Sequence, residues 1–394
     1  GIAGVMIAAK LRELEPDPQT FTIEIYTREP YEYYSRVRLP EVFASGLKIN
    51  ELELYKPGWY DKRNIGVYKN MEVVRLHRGD KQIELRNEIR VPYDKLVLAM
   101  GSDSLKPSVP NVNLHGVFTV REYGDAEALR RYISSGTNNA VVIGGGLLGL
   151  EAARHMVASG IKNLTIVEAA PRLLPKQLDE EASAILKELV ERWPCRVLLG
   201  SELVEFLGEL RVHSLRLKTG EVLDAQTVLI AIGILPRIQL CGEAGLIVNR
   251  GVVVNEYLCS SDPDIYIAGD LVEFQGVVWG IIPAALDHAP VVANNILGRT
   301  PIPYHQTIPI NTLKVAGISL TSMGKISFSE TERRYYQIIS KTSKDRRRYE
   351  KYITREGVLV GSILLGSKEN VKFINQRTGR NVSSQELQGF LRWD

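Results

Sequence analysis

Residues 140–151 read AVVIGGGLLGLE, and their types and spacing suit one kind of chemistry. A short, continuously apolar run at 140–143 leads into Gly144, Gly146 and Gly149 in GxGxxG spacing. A helical pattern continues through Leu150, Ala153 and Met156, and a second apolar run at 164–167 ends on Glu168. Strand, glycine turn, helix, strand and acid are the parts of a dinucleotide cradle. Gly144 permits the tight turn, Gly146 lets backbone amides approach a pyrophosphate, and Gly149 lets helix and strand pack closely. The helix start adds roughly half a positive charge facing the phosphates. Glu168 is placed to accept both ribose hydroxyls and to repel a 2′-phosphate, which favours NADH over NADPH. Arg172, four residues on, keeps the phosphorylated form open.

The chain opens GIAGVMIAAKLREL, with Gly1 and Gly4 spaced as the last two glycines of a second fingerprint. Val5, Ala8, Ala9, Leu11 and Leu14 share a helical face behind them. The strand and first glycine of that fingerprint do not precede them, so the sequence as given is expected to start inside the motif. FTIEIY at 21–26 is the expected next strand, with Thr27 at its end and Glu29 two residues later. Glu29 is the candidate ribose acid here, the other reading being a solvated loop acid. Two cradles in one chain imply that a hydride donor and an acceptor meet, which points to FAD in the first and NADH in the second.

The elements that must position these residues have to come from an ordinary globular composition. The 394 residues allow two or three domains, and 44% apolar content is enough for sizeable cores. Lys and Arg number 49 against 46 Asp and Glu, too small an excess to argue for nucleic acid. Cys195, Cys241 and Cys259 are too far apart for CxxC or a zinc cluster, and the six histidines form no HExxH, so no metal site is expected. No run reaches the ~18 apolar residues of a membrane span. The nearest, at 276–286, is short and carries Gly280 and Pro283. No secretory signal pattern is visible, and the sparing use of cysteine fits a cytoplasmic protein.

Four further motifs surround the complete fingerprint: LVLAMGS at 96–102, with Ala99 and Gly101; VLIAIGILPR at 228–237, with Gly233; DIYIAGD at 264–270, with Gly269 and Asp270; and WGIIPAALDHA at 279–289, with Pro283 and Ala284. In this order they resemble the pyridine nucleotide-disulfide oxidoreductase superfamily of two-dinucleotide flavoproteins over nearly the whole chain. The resemblance implies an α/β fold with two Rossmann-like dinucleotide-binding domains, the FAD domain split by an inserted NAD domain, and a small C-terminal α+β module. The expected boundaries are 1–112 and 235–302 for the FAD domain, 113–234 for the NAD domain and 303–394 for the module. Prolines at 107, 110, 236, 301 and 303 agree with these cuts. By the same resemblance the glycines and alanines of these motifs contact cofactor. Asp270 binds the ribityl or pyrophosphate side of FAD, and the helix beginning near Pro283 aims its positive end at the flavin N1–C2=O edge. His288 lies near the pyrimidine ring or serves as a cap or core residue.

YEYYSRVRLPEVFASG at 31–46 is similar to the Y-x-R-x-x-L segment of NADH:rubredoxin reductases, ferredoxin reductases and the flavin-binding part of assimilatory nitrite reductases. Arg36 then corresponds to the arginine that meets flavin or pyrophosphate. NTLKVAGISLTSMG at 311–324 and GVLVGSILLG at 357–366 resemble the C-terminal module of that group. Disulfide reductases of the superfamily carry CxxxxC after the first fingerprint, and coenzyme A disulfide reductases, peroxidases and water-forming oxidases carry one cysteine there. This chain has no cysteine within 31–46. A flavin facing no thiol has no sulfur relay, so electrons leave from the flavin itself. The three cysteines elsewhere read as small buried hydrophobes. Where the group often has a lysine, Glu41 stands. Glu151 matches the acid that pairs with that lysine near the nicotinamide, and Arg38 is the candidate replacement partner. Two acids facing each other would raise one pKa.

Toward the end, 335–340 and 349–354 read as strands joined by KTSKDRRR at 341–348. That basic turn either steers a small acidic redox protein or is a solvated hairpin tip. The activity implied is an FAD-dependent, NADH-oxidising reductase, monomeric or homodimeric. It would deliver electrons to a rubredoxin or a ferredoxin-like iron–sulfur protein. The alternatives are a peroxide-forming oxidase that uses oxygen, or a flavoprotein subunit of a larger redox complex. No nucleic-acid or membrane partner is expected.

Overall fold

Five parallel strands carry the complete fingerprint, in the order Cys195–Leu198, Asn163–Val167, Asn139–Ile143, Thr227–Ile230, Val117–Thr119. The computed structural model describes residues 1–315, 317–391 and 393, with 311–315 described by their backbone alone. Ala316, inside the family-like segment at 311–324, lies outside the described residues. The chain divides into two compact units: Gly1–Arg38, Leu47–Asp103 and Ile234–Thr307 in the first, and Leu39–Gly46, Ser104–Gly233 and Ile308–Asp394 in the second.

In the second unit the central strands are apolar on both faces, as a sheet covered on both sides requires. Ala140 to Ile143 and Thr227 to Ile230 are all buried. The helix Leu147–Ala158 buries Leu150, Ala152, Ala153 and Met156 completely. An antiparallel three-stranded sheet, Leu203–Gly208, Val212–Leu217 and Val222–Asp224, extends the unit. The C-terminal part of the unit is a five-stranded antiparallel sheet in the order Ile310–Val315, Ile318–Gly324, Val358–Leu365, Tyr349–Arg355, Gln337–Thr342. Two helices, Val371–Arg377 and Ser384–Phe390, bury Ile374 and Leu387 in a common cluster with Met323, Tyr352 and Leu359.

The turn at 341–348 keeps residues 344–347 exposed, and several of its cations are engaged within the unit. Arg346 meets Glu188 at 3.0 Å, and Arg348 meets the buried Glu350 at 2.7 Å. Lys341 donates to the Leu391 and Trp393 carbonyls. Nearby, Asp179 caps the helix Glu180–Val190 by accepting the Ala182 amide, and also accepts from Lys351 Nζ (2.8 Å) and the Tyr349 hydroxyl (2.7 Å). The hairpin is thereby clamped onto that helix.

Among the described residues the first unit holds three parallel strand pairs, Ile23–Thr27 with Ile65–Lys69, Leu96–Leu98 with Ile265–Ile267 and Val252–Val253 with Val272–Glu273. The helices Ile2–Leu14 and Ile282–Ile296 pack against each other in its core, where Ala3, Ile7, Ala285, Ala289 and Val292 are buried. An antiparallel sheet of Val73–His77, Gln82–Leu85 and Arg90–Pro92 completes it.

Two strands start later than their apolar runs suggest. The strand expected at 21–26 spans Ile23–Thr27, because Phe21 is tied to the first helix: its carbonyl accepts from Arg12, whose guanidinium lies 4.9 Å from the ring centroid. The strand expected at 335–340 spans Gln337–Thr342. The Tyr335 and Tyr336 amides are taken by the carbonyls of Glu332 and Arg333 at the end of a short helix.

Candidate functional site

In the second unit two of the three fingerprint glycines meet a steric demand. Gly144 has φ +112°, and a Cβ there would lie 2.4 Å from the Ala231 carbonyl oxygen. A Cβ at Gly149 would lie 2.0 Å from the Gly144 oxygen. At Gly146 a Cβ would meet nothing within 4 Å, so that backbone borders open space. Gly146 is also the N-cap of Leu147–Ala158 and supplies no side-chain cap, while its carbonyl accepts from the Leu150 amide. The amides of Leu147, Leu148 and Gly149 therefore remain for an anion. Glu168 follows the strand Asn163–Val167, and its carboxylate accepts from the Gly145 amide at 2.6 Å and the Ala170 amide at 2.7 Å. Each oxygen keeps a second lone pair for a hydroxyl donor. Arg172 turns to its own loop, donating to the carbonyls of Pro175 and Leu178.

On the same helix Glu151 lies one turn before His155, Oε2 to Nε2 3.7 Å. Phe43, from the helix Leu39–Ser45, meets the His155 ring edge-on. Burial and the neighbouring Arg154 pull the His155 pKa below its ordinary value, against the charge of Glu41. His155 was not singled out by spacing, because a histidine at i+4 from an acid is common on any helix. Gly233, at φ +132°, has a carbonyl that accepts from the Leu105 amide.

In the first unit a pocket is lined by Gly1, Thr27, Glu29, Tyr34 and Arg36, among others. The two expected cofactor residues Glu29 and Arg36 are brought into direct contact as an ion pair, and the Tyr34 hydroxyl donates to the same carboxylate. Arg36 also lies over the Tyr34 ring. A Cβ at Gly4 would rest 3.5 Å from that of Ala99, so helix and strand pack closely there, as the fingerprint demands. Gly101 takes φ +71°, and its carbonyl accepts the Arg237 amide. Arg38 lies apart from this pocket and donates to the Glu51 carbonyl at 2.8 Å.

Gly269 and Asp270 form a 3-10 turn, Gly269–Leu271. Asp270 accepts from the Ser102 hydroxyl at 2.6 Å, and a Cβ at Gly269 would press on Ala3 at 3.1 Å. Ser102 closes the motif at 96–102, but its link to Asp270, 168 residues on, is a tertiary fact. Pro283 occupies the first turn of Ile282–Ile296, where its missing amide costs nothing. The turn has no side-chain cap, leaving the amides of Ile282 and Ala284 as donors.

All three cysteines are unpaired. Burial pushes the Cys195 thiol up to about 12 and Cys241 up to about 11, and it also raises Cys259. Thiols so shifted are poor nucleophiles. Among the described residues no group of acids, histidines and cysteines is placed to hold a metal ion, and no helix is long and apolar enough to cross a membrane.

Residues 1–289 match the family model for pyridine nucleotide-disulphide oxidoreductases. The chain belongs to this family. Residues 309–377 match the rubredoxin NAD+ reductase C-terminal domain. A nitrite reductase [NAD(P)H] of Bacillus subtilis is 32% identical over 366 residues, covering 93% of this chain and 44% of that protein. A rubredoxin-NAD(+) reductase of Ectopseudomonas oleovorans is 31% identical over 335 residues, 83% of this chain and 85% of that one. The crystal structure of NADH:rubredoxin oxidoreductase from Clostridium acetobutylicum superimposes with a TM-score of 0.77 at 25% identity, covering 99% of this chain and 97% of that one. The chain spans less than half the length of the first two curated relatives, 44% and 42%. As a family member it has a Rossmann-type α/β fold, and the family implies an oxidoreductase with a flavin and a pyridine nucleotide. The residues present fit both groups: the Gly146 backbone borders open space at an uncapped helix start, and the Glu29–Arg36 pocket opens beside a second one.

Proposed function

We propose that this chain is an FAD-dependent, NADH-oxidising electron-transfer reductase serving a small one-electron carrier of the rubredoxin or ferredoxin-like type. FAD, when bound, supplies the ability to take up a hydride and give up its electrons singly. The protein's residues bind and orient. Gly144, Gly146, Gly149 and Glu168 hold NADH, with the amides of Leu147 and Leu148 toward its pyrophosphate. Gly1, Gly4, Glu29, Arg36, Ala99, Gly101, Gly269, Asp270, Pro283 and Ala284 would hold FAD, and Gly233 is a further candidate for cofactor contact. The N-terminal amides of Ile282–Ile296 stabilise the negative charge that reduction brings. Glu151 and Arg38 are the candidates for placing the nicotinamide. The corresponding partition is FAD domain at 1–112 and 235–302, NAD domain at 113–234 and module at 303–394.

The observation that carries the reading is the absence of any cysteine at 31–46, together with three thiols of raised pKa elsewhere. Without a sulfur relay the electrons go outward. A second reading, a flavin-bearing portion of a larger redox assembly, is favoured by the 44% coverage of the nitrite reductase. The deciding measurement mixes NADH-reduced protein with rubredoxin, a ferredoxin and oxygen in turn. Fast carrier reduction with slow oxygen uptake supports the proposal. NADH consumption that occurs only with oxygen and yields stoichiometric peroxide replaces it with an oxidase, and negligible turnover with all three favours the assembly reading.

A further inference from the structure

We propose that His288 is a positioning residue for the flavin, holding the turn of Gly269 and Asp270 in the form that grips FAD. The inference rests on the FAD reading above and deepens it. His288 sits in the second turn of Ile282–Ile296 and is 1% exposed. Its Nδ1 accepts the Gly269 amide at 3.1 Å, so this nitrogen bears no proton and the ring's hydrogen is on Nε2. Nε2 is buried and has no partner among the described residues.

A buried donor without an acceptor is costly, and leucine at this position would avoid that cost. What leucine lacks is the acceptor for Gly269. That amide begins the turn that presents Asp270, where Gly269 lies against Ala3, the Gly269 carbonyl accepts the Val272 amide and the Ser102 hydroxyl donates to Asp270. Tyr304 closes the far side edge-on, its ring centroid 4.8 Å from that of His288. The ring must stay neutral to accept, and burial outweighs the charge of Asp270 in keeping it so. Removing the acceptor leaves the partly buried Gly269 amide without this partner, free to rotate away with Asp270.

The test is FAD affinity, read by flavin fluorescence on titrating deflavinated protein, with wild type, His288→Leu and His288→Asn compared at pH 7.5. Asparagine keeps an acceptor oxygen on Cγ, where Nδ1 is attached, and cannot carry the imidazole proton. His288→Leu is expected to raise the FAD dissociation constant about tenfold or more, and His288→Asn to restore it to within about threefold of wild type. Equal affinity for wild type and leucine variant overturns the proposal. So does an asparagine variant as weak as leucine, which would make ring volume the requirement. Hydrogen exchange at Gly269 in wild-type protein gives a readout independent of variant folding: a protected amide is expected, and one exchanging as fast as an exposed loop overturns the proposal. Wild type that takes up no FAD sinks the flavin reading and this inference together.

Discussion

The Glu168 carboxylate and the Gly145 amide are joined by a 2.6 Å hydrogen bond that ties the strand-end acid to the middle of the glycine turn. The acid is thus oriented by the glycine turn itself, and on the proposed reading its charge would oppose a 2′-phosphate. Glu168→Arg is expected to raise KM for NADH at least about tenfold and to narrow or reverse the preference over NADPH, with flavin content unchanged. Steady-state kinetics with both nucleotides checks this, and an unaltered preference would refute the assignment of Glu168.

Gly146 and Gly149 separate binding from folding. Gly146→Ala adds a methyl to open space, so the melting temperature should stay within a few degrees of wild type while KM for NADH rises. Gly149→Ala pushes a methyl to 2.0 Å from the Gly144 oxygen and should lower stability by about 2 kcal/mol or more. Thermal melts of the two variants side by side make the comparison.

The clamp on Asp179 should be a stability element. Burial would raise its carboxyl, but Lys351, the Ala182 amide and the Tyr349 hydroxyl together hold it below the usual range. Asp179→Ala removes a helix cap and strands a largely buried ammonium, at a cost of about 2–4 kcal/mol. Urea unfolding should show it. The wild-type contribution is present above pH ~4 and is lost as pH falls through the depressed pKa of the folded state.

Thiol chemistry should be irrelevant to turnover. With the Cys195 pKa at about 12 and Cys241 at about 11, alkylation of native protein at pH 8 should be slow at both and leave NADH oxidation intact. Rapid inactivation by a thiol reagent would reinstate a sulfur relay.

His288 makes stability fall toward acid. Burial pulls its pKa from 6.5 down to about 4, so the unfolded chain takes the proton first. Its contribution is whole above pH 6.5, declines between 6.5 and about 4, and is level below that. The loss amounts to on the order of 3 kcal/mol. His288→Asn, which does not titrate, should show a shallower decline of urea midpoint over the same window.

Much of the candidate nucleotide cradle is legible along the chain because its parts are local. A GxGxxG turn, the helix it starts and the acid ending the next strand lie within 25 residues, from Gly144 to Glu168. The short buried strands Asn139–Ile143 and Thr227–Ile230 are readable for the same reason, since burial on both faces leaves a continuous apolar run. The strand expected at 335–340 was misplaced by two residues because a helix end captured the amides of Tyr335 and Tyr336, which propensity cannot foresee.

Residue order alone therefore determined the two fingerprints, the strand-end acid and the missing thiol, all properties of type and spacing. Tertiary structure alone decided that Glu29 pairs with Arg36, that Asp270 leans on Ser102, that His288 accepts from Gly269, and that Arg346 and Arg348 of the basic hairpin meet Glu188 and Glu350. A hydrogen bond or ion pair across 19 or 168 residues depends on how helices and strands pack, and no local pattern encodes that distance.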